Sequence, residues 1–178
     1  VKEFLDQSQY ADWVSFVEEE KLLGTAGTLR NLSEEIQGST VMLVHADNLC
    51  QCDFQSFLNS HSKRPSSTLM TMMTFRTDNP LGCGIVEIDE RGIVWKLHEK
   101  VDAPLGNLAN AAVYILEPEI ILWLKQQPDN VTDFSTQVLP CFLGEINTWE
   151  NTKVHRDIGT KESLKAAQND PVLNQDFL

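Results

Sequence analysis

Two carboxylates far apart in the chain, Asp47 and Asp157, stand where a divalent cation could be held. Asp47 follows the continuous apolar run Val41-Met42-Leu43-Val44, so it falls at the carboxyl end of a strand that reads as buried on both faces. Ligands of open α/β sheets bind beyond such strand ends. Asp157 lies in His155-Arg156-Asp157-Ile158-Gly159-Thr160, a turn that opens a helix. Magnesium takes one or two carboxylates and completes its shell with phosphate oxygens and water. Two loop aspartates meeting at one cleft suit that demand. Taken singly, each has a plainer use, Asp47 as a loop cap and Asp157 as a helix cap.

A third candidate is Leu23-Gly24-Thr25-Ala26-Gly27, which precedes a helix carrying Leu29, Leu32 and Ile36 on one face. Glycines let backbone come close to a flat base or a ribose, and helix N-termini favour anions. An ordinary loop-to-helix entry has the same look. Glu18-Glu19-Glu20, just upstream, reads first as a solvated charge run, with a ligand role as the rarer alternative.

The elements that must position these residues alternate along the chain. Ala11 to Glu18 reads as a weakly alternating strand and Leu69 to Phe75 as a buried one. A helix starts at the N-cap Asp53, with Phe54, Phe57 and Leu58 as its apolar stripe. Gly84 to Asp89 and Gly92 to His98 form a hairpin, and Asn110 to Leu116 is a further strand. Glu119 to Lys125 and Phe134 to Phe142 read as helices, and Gly159-Thr160-Lys161 opens the last one. This order predicts an α/β fold: a mixed, mostly parallel, Rossmann-like sheet flanked by helices.

Composition narrows the function. The formal net charge is −12 over 178 residues, so the surface repels nucleic acid and anionic lipid, and neither is an expected partner. A nucleoside triphosphate is repelled as well, so a phosphate ligand needs Mg²⁺ or a local basic patch. No apolar run approaches the roughly 20 residues that span a bilayer. Val1-Lys2-Glu3-Phe4-Leu5-Asp6 has no signal-peptide character, and a cytoplasmic location is the expectation. Cys50, Cys52, Cys83 and Cys141 lack zinc spacing and read as reduced, partly buried thiols. His61 and His98 have no metal-ligand partner in sequence and read as solvated or hydrogen-bonded. The four tryptophans read as core or rim.

Taken in order, the pieces resemble the sugar-1-phosphate nucleotidyltransferases over roughly Ala11 to Ala167. Leu23-Gly24-Thr25-Ala26-Gly27 is similar to that family's loop against the nucleotide base. His45-Ala46-Asp47 and Asp157-Ile158-Gly159-Thr160 resemble its two metal aspartates. Gly84-Ile85-Val86-Glu87 is similar to the glycine segment that approaches the sugar. Glu99-Lys100 resembles the pair near the sugar and its phosphate, and Asn110-Ala111-Ala112-Val113-Tyr114 the strand whose Asn binds sugar hydroxyls. The wording leans toward the mannose- or heptose-1-phosphate guanylyltransferases.

The resemblance implies transfer of a nucleotidyl group from a nucleoside triphosphate to a sugar 1-phosphate, with release of pyrophosphate. It implies Mg²⁺ on Asp47 and Asp157, with Lys100 at the sugar phosphate. Leu23, Gly24, Thr25 and Ala26 would meet the nucleotide, and Gly84, Glu99 and Asn110 the sugar. Two departures stand out. Ala112 occupies a usual glycine and is expected to crowd the sugar. The family's first strand, and the Gly-rich loop that wraps the triphosphate, have no counterpart before Val1. The expectation is one domain over residues 1–178 that lacks the front of the fold. It would be impaired alone and pair with copies of itself through the exposed sheet gap. The alternative is a non-catalytic binding or assembly subunit. A metal-dependent glycosyltransferase fits less well, because Asp47 is followed by Asn48 and forms no Asp-x-Asp.

Overall fold

The computed structural model describes residues 1–99 and 105–170. In chain order the elements are α1 (Lys2–Asp6), α2 (Gly24–Asn31), β1 (Val41–Val44), β2 (Asn48–Cys50), α3 (Phe54–Ser62), β3 (Met70–Arg76), β4 (Gly84–Ile88), β5 (Ile93–Glu99), β6 (Leu108–Leu116), α4 (Pro118–Lys125), β7 (Ile146–Glu150), β8 (His155–Asp157) and α5 (Lys161–Gln168). Six strands form one sheet in the order β1-β6-β3-β7-β5-β4, and β2 and β8 form a separate ribbon. No helix among the described residues is long and apolar enough to cross a membrane.

The sheet is mixed, but the expected mostly parallel order is not formed. Among the described strands only β3 and β7 pair in parallel. β6 runs antiparallel between β1 and β3, and β5 antiparallel to β4 and β7. Strands β1, β3 and β7 do run the same way, which is what their helical connections impose. The returning strand β6 slips between β1 and β3, and β5 lies beyond β7. β4 also touches β6 through Ile85 and Ala109, so the twisted sheet curls back on itself.

Strand alternation sends side chains to two cores. Met70, Met72, Tyr114 and Leu116 face α2, α4 and the turns around Phe134 and Phe142. Met73, Ala111, Val113 and Ile115 pack with Phe57 of α3 on the opposite face. Of the stripe expected on α3, Phe57 is buried while Phe54 and Leu58 are exposed. The other inward position, one turn after Phe57, is taken by His61. Asp53 caps that helix by accepting from the Ser56 N–H at 2.9 Å, and Thr160 with Ser163 builds a capping box on α5.

Three further expectations change. Among the described residues β1 has a partner on one edge only, and its burial alternates because only one of its faces is covered, which leaves Met42 and Val44 exposed. Ala11 to Glu18 forms no strand; a short strand with no neighbour to pair with gains too little to order itself. Phe134 to Phe142 is a wide helical turn followed by a 3-10 turn, with Pro140 breaking continuity.

The histidine reading holds. His98 meets Glu87 at 2.5 Å. His61 is buried, with Nδ1 2.8 Å from Thr71 Oγ1 and Nε2 2.7 Å from Glu117 Oε1. Arg64 also holds that Glu117 oxygen at 2.9 Å, which spends part of its charge. Burial therefore wins, and the imidazole titrates below its ordinary 6.5. His155 is lowered for the same first reason. The unfolded chain thus takes up protons near pH 6.5 that the folded chain resists. This stability is complete above pH 6.5 and falls as the pH drops from there through the folded values. Replacing His61 with Leu leaves the Thr71 hydroxyl with the longer 3.4 Å contact from Asn147 Nδ2 and should cost about 1–2 kcal/mol in urea unfolding at pH 7.5. The same variant should lose part of the acid-side slope. An unchanged slope would mean that folding does not lower the titration of His61.

Candidate active site

β2 and β8 bring the two aspartates together. The ribbon is antiparallel and pairs Asn48 with Asp157, and the Ile158 N–H donates to the Asp47 carbonyl at 2.8 Å. Asp47 therefore enters one strand of the ribbon just where Asp157 leaves the other. A Cβ placed on Gly159 would stand 2.8 Å from Asp47 Oδ2 and 3.1 Å from Asp157 Oδ1. Both carboxylates converge over the bare face of that glycine, whose N–H donates to Asp157 Oδ1 at 2.7 Å. Two exposed carboxylates this close repel each other unless a cation sits between them.

Two cavities, each of about 630 Å³, meet at this point, because His45 and Asp47 line both. The first holds the expected sugar residues Gly84, Glu99 and Asn110, together with Asp157. Gly84 lies close under Glu99: a Cβ there would stand 2.6 Å from Glu99 Oε2, so any side chain would push that carboxylate aside. Asn110 is fixed from both ends, Nδ2 donating to Tyr114 Oη at 2.8 Å and Oδ1 accepting from the Ala112 N–H at 3.0 Å. One amide hydrogen and one lone pair remain for a ligand. Burial pushes the Tyr114 hydroxyl up to about 12, so it stays protonated. Ala112 also lines this cavity and has φ of 52°, a left-handed conformation that costs an L-residue about 1–2 kcal/mol. Lys100 lies outside the described residues.

The second cavity is apolar and is lined by Gly24, Thr25, Leu43, Val44 and Glu19. Gly24 has φ of +74°, and a Cβ there would meet the Thr132 carbonyl at 2.4 Å, so no other residue fits. Thr25 is held by its hydroxyl, which accepts from the Phe134 N–H at 2.8 Å. The other two loop residues lie elsewhere: Ala26 is fully buried in the core, and Leu23 lines a neighbouring cavity.

Sequence reading missed several lining residues. Thr77 and Asn79 reach the first cavity from a loop whose spacing carries no periodic signal, and Asp133, Ser135 and Thr136 from the wide helical turn at Phe134. Among the described residues Arg156 is the Lys or Arg that lines it, while Lys21 lines the neighbouring cavity. Among the described residues no group of three or more His, Cys, Asp or Glu is placed to hold a metal. A cation on the aspartate pair would thus depend on ligand oxygens, as magnesium sites commonly do. Cys50, Cys52 and Cys83 are half-buried free thiols, and Cys141 is exposed.

A mixed sheet between helices, with a two-carboxylate cleft joining an apolar pocket to a hydroxyl-lined one, defines an α/β protein. The chain belongs to the nucleotidyl transferase family, which it matches over residues 2–172. It is 28% identical over 174 residues to the mannose-1-phosphate guanylyltransferase of Mycobacterium tuberculosis, covering 96% of this chain and 47% of the relative. It is 24% identical over 165 residues to the glucose-1-phosphate adenylyltransferase of Bacillus cytotoxicus, covering 87% and 44%. The chain thus spans about half the length of these curated relatives. Its fold is similar to that of HddC from Yersinia pseudotuberculosis complexed with GMP-PN, with a TM-score of 0.75 at 22% identity, covering 98% of this chain and 72% of that one.

Proposed function

We propose that this chain carries the cleft in which a nucleoside triphosphate and a sugar 1-phosphate are joined, with guanine as the base and a mannose- or heptose-like sugar. The observation that supports it most is the meeting of the two cavities at the aspartate pair. A base in the apolar cavity and a sugar in the hydroxyl-lined one would place their phosphates together at Asp47 and Asp157. A phosphate oxygen of the sugar 1-phosphate attacks the α-phosphorus, a new P–O bond forms, and the bond to the leaving pyrophosphate breaks. Magnesium, when bound, would neutralise the phosphate charge there. Asp47 and Asp157 would hold it, while Asn110 and Glu99 orient the sugar hydroxyls. Lys100 is the proposed contact to the sugar phosphate. The remaining catalysis is positioning and charge neutralisation.

Guanine is supported by Glu19. Its Oε2 accepts from the Leu23 N–H at 3.2 Å, which fixes the carboxylate at the rim of the base cavity. Its Oε1 is buried and has no partner. A desolvated carboxylate oxygen calls for a donor. Guanine offers two adjacent donors, N1–H and the 2-amino group. Adenine opposes a ring acceptor, and uracil and thymine flank their single N–H with carbonyls. The experiment is release of pyrophosphate from GTP, Mg²⁺ and mannose 1-phosphate, repeated with other triphosphates. Ligand binding without turnover would favour a binding subunit instead.

Assembly through the free edge of β1 is part of the same proposal, with a second copy as the occupant. Val41–Val44 carries no charge or proline to guard that edge, and an antiparallel pairing across a two-fold axis is self-complementary. Sedimentation at micromolar concentration should show a dimer, and Met42→Lys should shift it to monomer. A parent that sediments as a monomer would rule the contact out.

A further inference from the structure

We propose that the carbonyl of Ala111 is a clamp that positions the aspartate pair against the sugar-binding strand, with Asn48 and His155 as its two positioning residues. The inference rests on the reading of Asp47 and Asp157 as a cation site.

The clamp begins in an irregularity of β6. The ladder to β3 pairs Tyr114 with Met72 and Asn110 with Thr74, and its register shifts between them. On the other edge, pairing with β1 ends at Val113 and pairing with β4 is at Ala109. Ala111 thus falls in an interval of β6 with no regular neighbour, and the left-handed Ala112 follows it. The Ala111 carbonyl accepts twice: from Asn48 Nδ2 at 3.0 Å and from His155 Nε2 at 2.9 Å. Both donors belong to the β2–β8 ribbon, one on each strand. Asn48 is the residue after Asp47, and His155 lies two before Asp157. Asn110, whose side chain lines the sugar cavity, is the residue before Ala111.

One oxygen therefore ties both carboxylate-bearing strands to the strand that carries the sugar contact. The His155 ring is buried and stacked on Phe75 at 4.3 Å, so its hydrogen bond cannot swing to another acceptor without unpacking the ring. A backbone carbonyl with no strand to accept from is satisfied only by these side chains. This gives the strained alanine a reason: the left-handed turn at Ala112 accompanies a carbonyl aimed at the ribbon instead of along the sheet. Both side chains also line the first cavity, and their part in the clamp is separate from that. They act through Asp47 and Asp157.

The test measures Mn²⁺ binding in the presence of GTP by water-proton relaxation, with mannose 1-phosphate binding by calorimetry alongside. His155→Leu removes the donor, His155→Gln keeps a side-chain N–H, and Asn48→Ala removes the other donor with little volume change in the ribbon. His155→Leu and Asn48→Ala should each weaken Mn²⁺ about tenfold and leave the sugar phosphate within about twofold, and His155→Gln should recover most of the Mn²⁺ loss. The double variant should lose less than the product of the singles, because both act on one acceptor. Should His155→Leu fail to fold, Asn48→Ala alone decides. Parent-like Mn²⁺ affinity in both donor-deleted variants overturns the clamp and leaves the cation reading standing. A parent that binds no Mn²⁺ overturns both. Parallel loss of Mn²⁺ and sugar phosphate would show general damage and also counts against the clamp.

Discussion

Asp47→Asn and Asp157→Asn should each lower pyrophosphate release from GTP and mannose 1-phosphate about a thousandfold, with no loss of thermal stability. The size follows from removing a fixed charge at the point where phosphate charge must be neutralised; single oxyanion-type donors are worth about a hundred- to a thousandfold. The unchanged stability follows from exposure. Both side chains face the cleft, and without a cation their negative charges oppose each other, so the fold gains nothing from them. In Asp157→Asn the side-chain amide oxygen can still accept from the Gly159 N–H, so the turn keeps its hydrogen bond. Rate and stability should therefore separate. The loss should shrink as Mg²⁺ is raised into the millimolar range, because the variants weaken the site without removing it. A variant that loses rate only by unfolding would contradict this division.

Glu19→Gln should reduce the preference for GTP over ITP from about thirtyfold to near unity. Inosine lacks the 2-amino group, so the parent site leaves one carboxylate oxygen without a donor when it binds ITP. An unpaired buried polar group costs about 1–3 kcal/mol, and more when it is charged. The amide offers one acceptor oxygen, which can still meet the single N1–H of ITP, while the second donor of GTP faces the amide NH2; the penalty therefore falls on GTP and the ratio collapses. The comparison is kcat/KM for GTP, ITP and ATP in parent and variant. If the variant keeps the parent's GTP-to-ITP ratio, Glu19 does not read the base, and the choice of guanine has to be sought in backbone groups of the Gly24 loop.

Much of this site was legible in the sequence because its residues sit where chain punctuation is strongest. Asp47 closes the most apolar run, Asp157 precedes a glycine, and Gly24 opens a helix that begins with a left-handed residue. Each carries its mechanism in its neighbours. Glu19 was visible only as one of three successive glutamates, since nothing local says which of them is turned inward. Asp133, Ser135 and Thr136 were invisible for a related reason: the turn that presents them was read as an ordinary helix.

The sheet shows the opposite limit. Apolar runs at Val41–Val44 and Leu69–Phe75 gave strands in the right places, but a run of apolar residues does not say whether its neighbour is parallel or antiparallel. β6 lies between β1 and β3 although it follows both in sequence, and only tertiary packing decides that insertion. The open edge of β1 was expected from the resemblance, but the exposure of its face was not. Full burial was inferred from composition, while exposure of Met42 and Val44 depends on what stands beside them. The positive φ at Ala112 had a trace in the sequence, an alanine where the resembled family has glycine. Its structural meaning came only with the carbonyl beside it.

The central claim is that Asp47 and Asp157 share one divalent cation, and anomalous scattering from crystals grown with Mn²⁺ and GTP tests it most directly. The account predicts a single strong manganese peak between the two carboxyl groups, beside the turn at Gly159, with nucleotide phosphate completing its shell. Bound nucleotide with the manganese elsewhere, and both carboxylates left without metal, would contradict it.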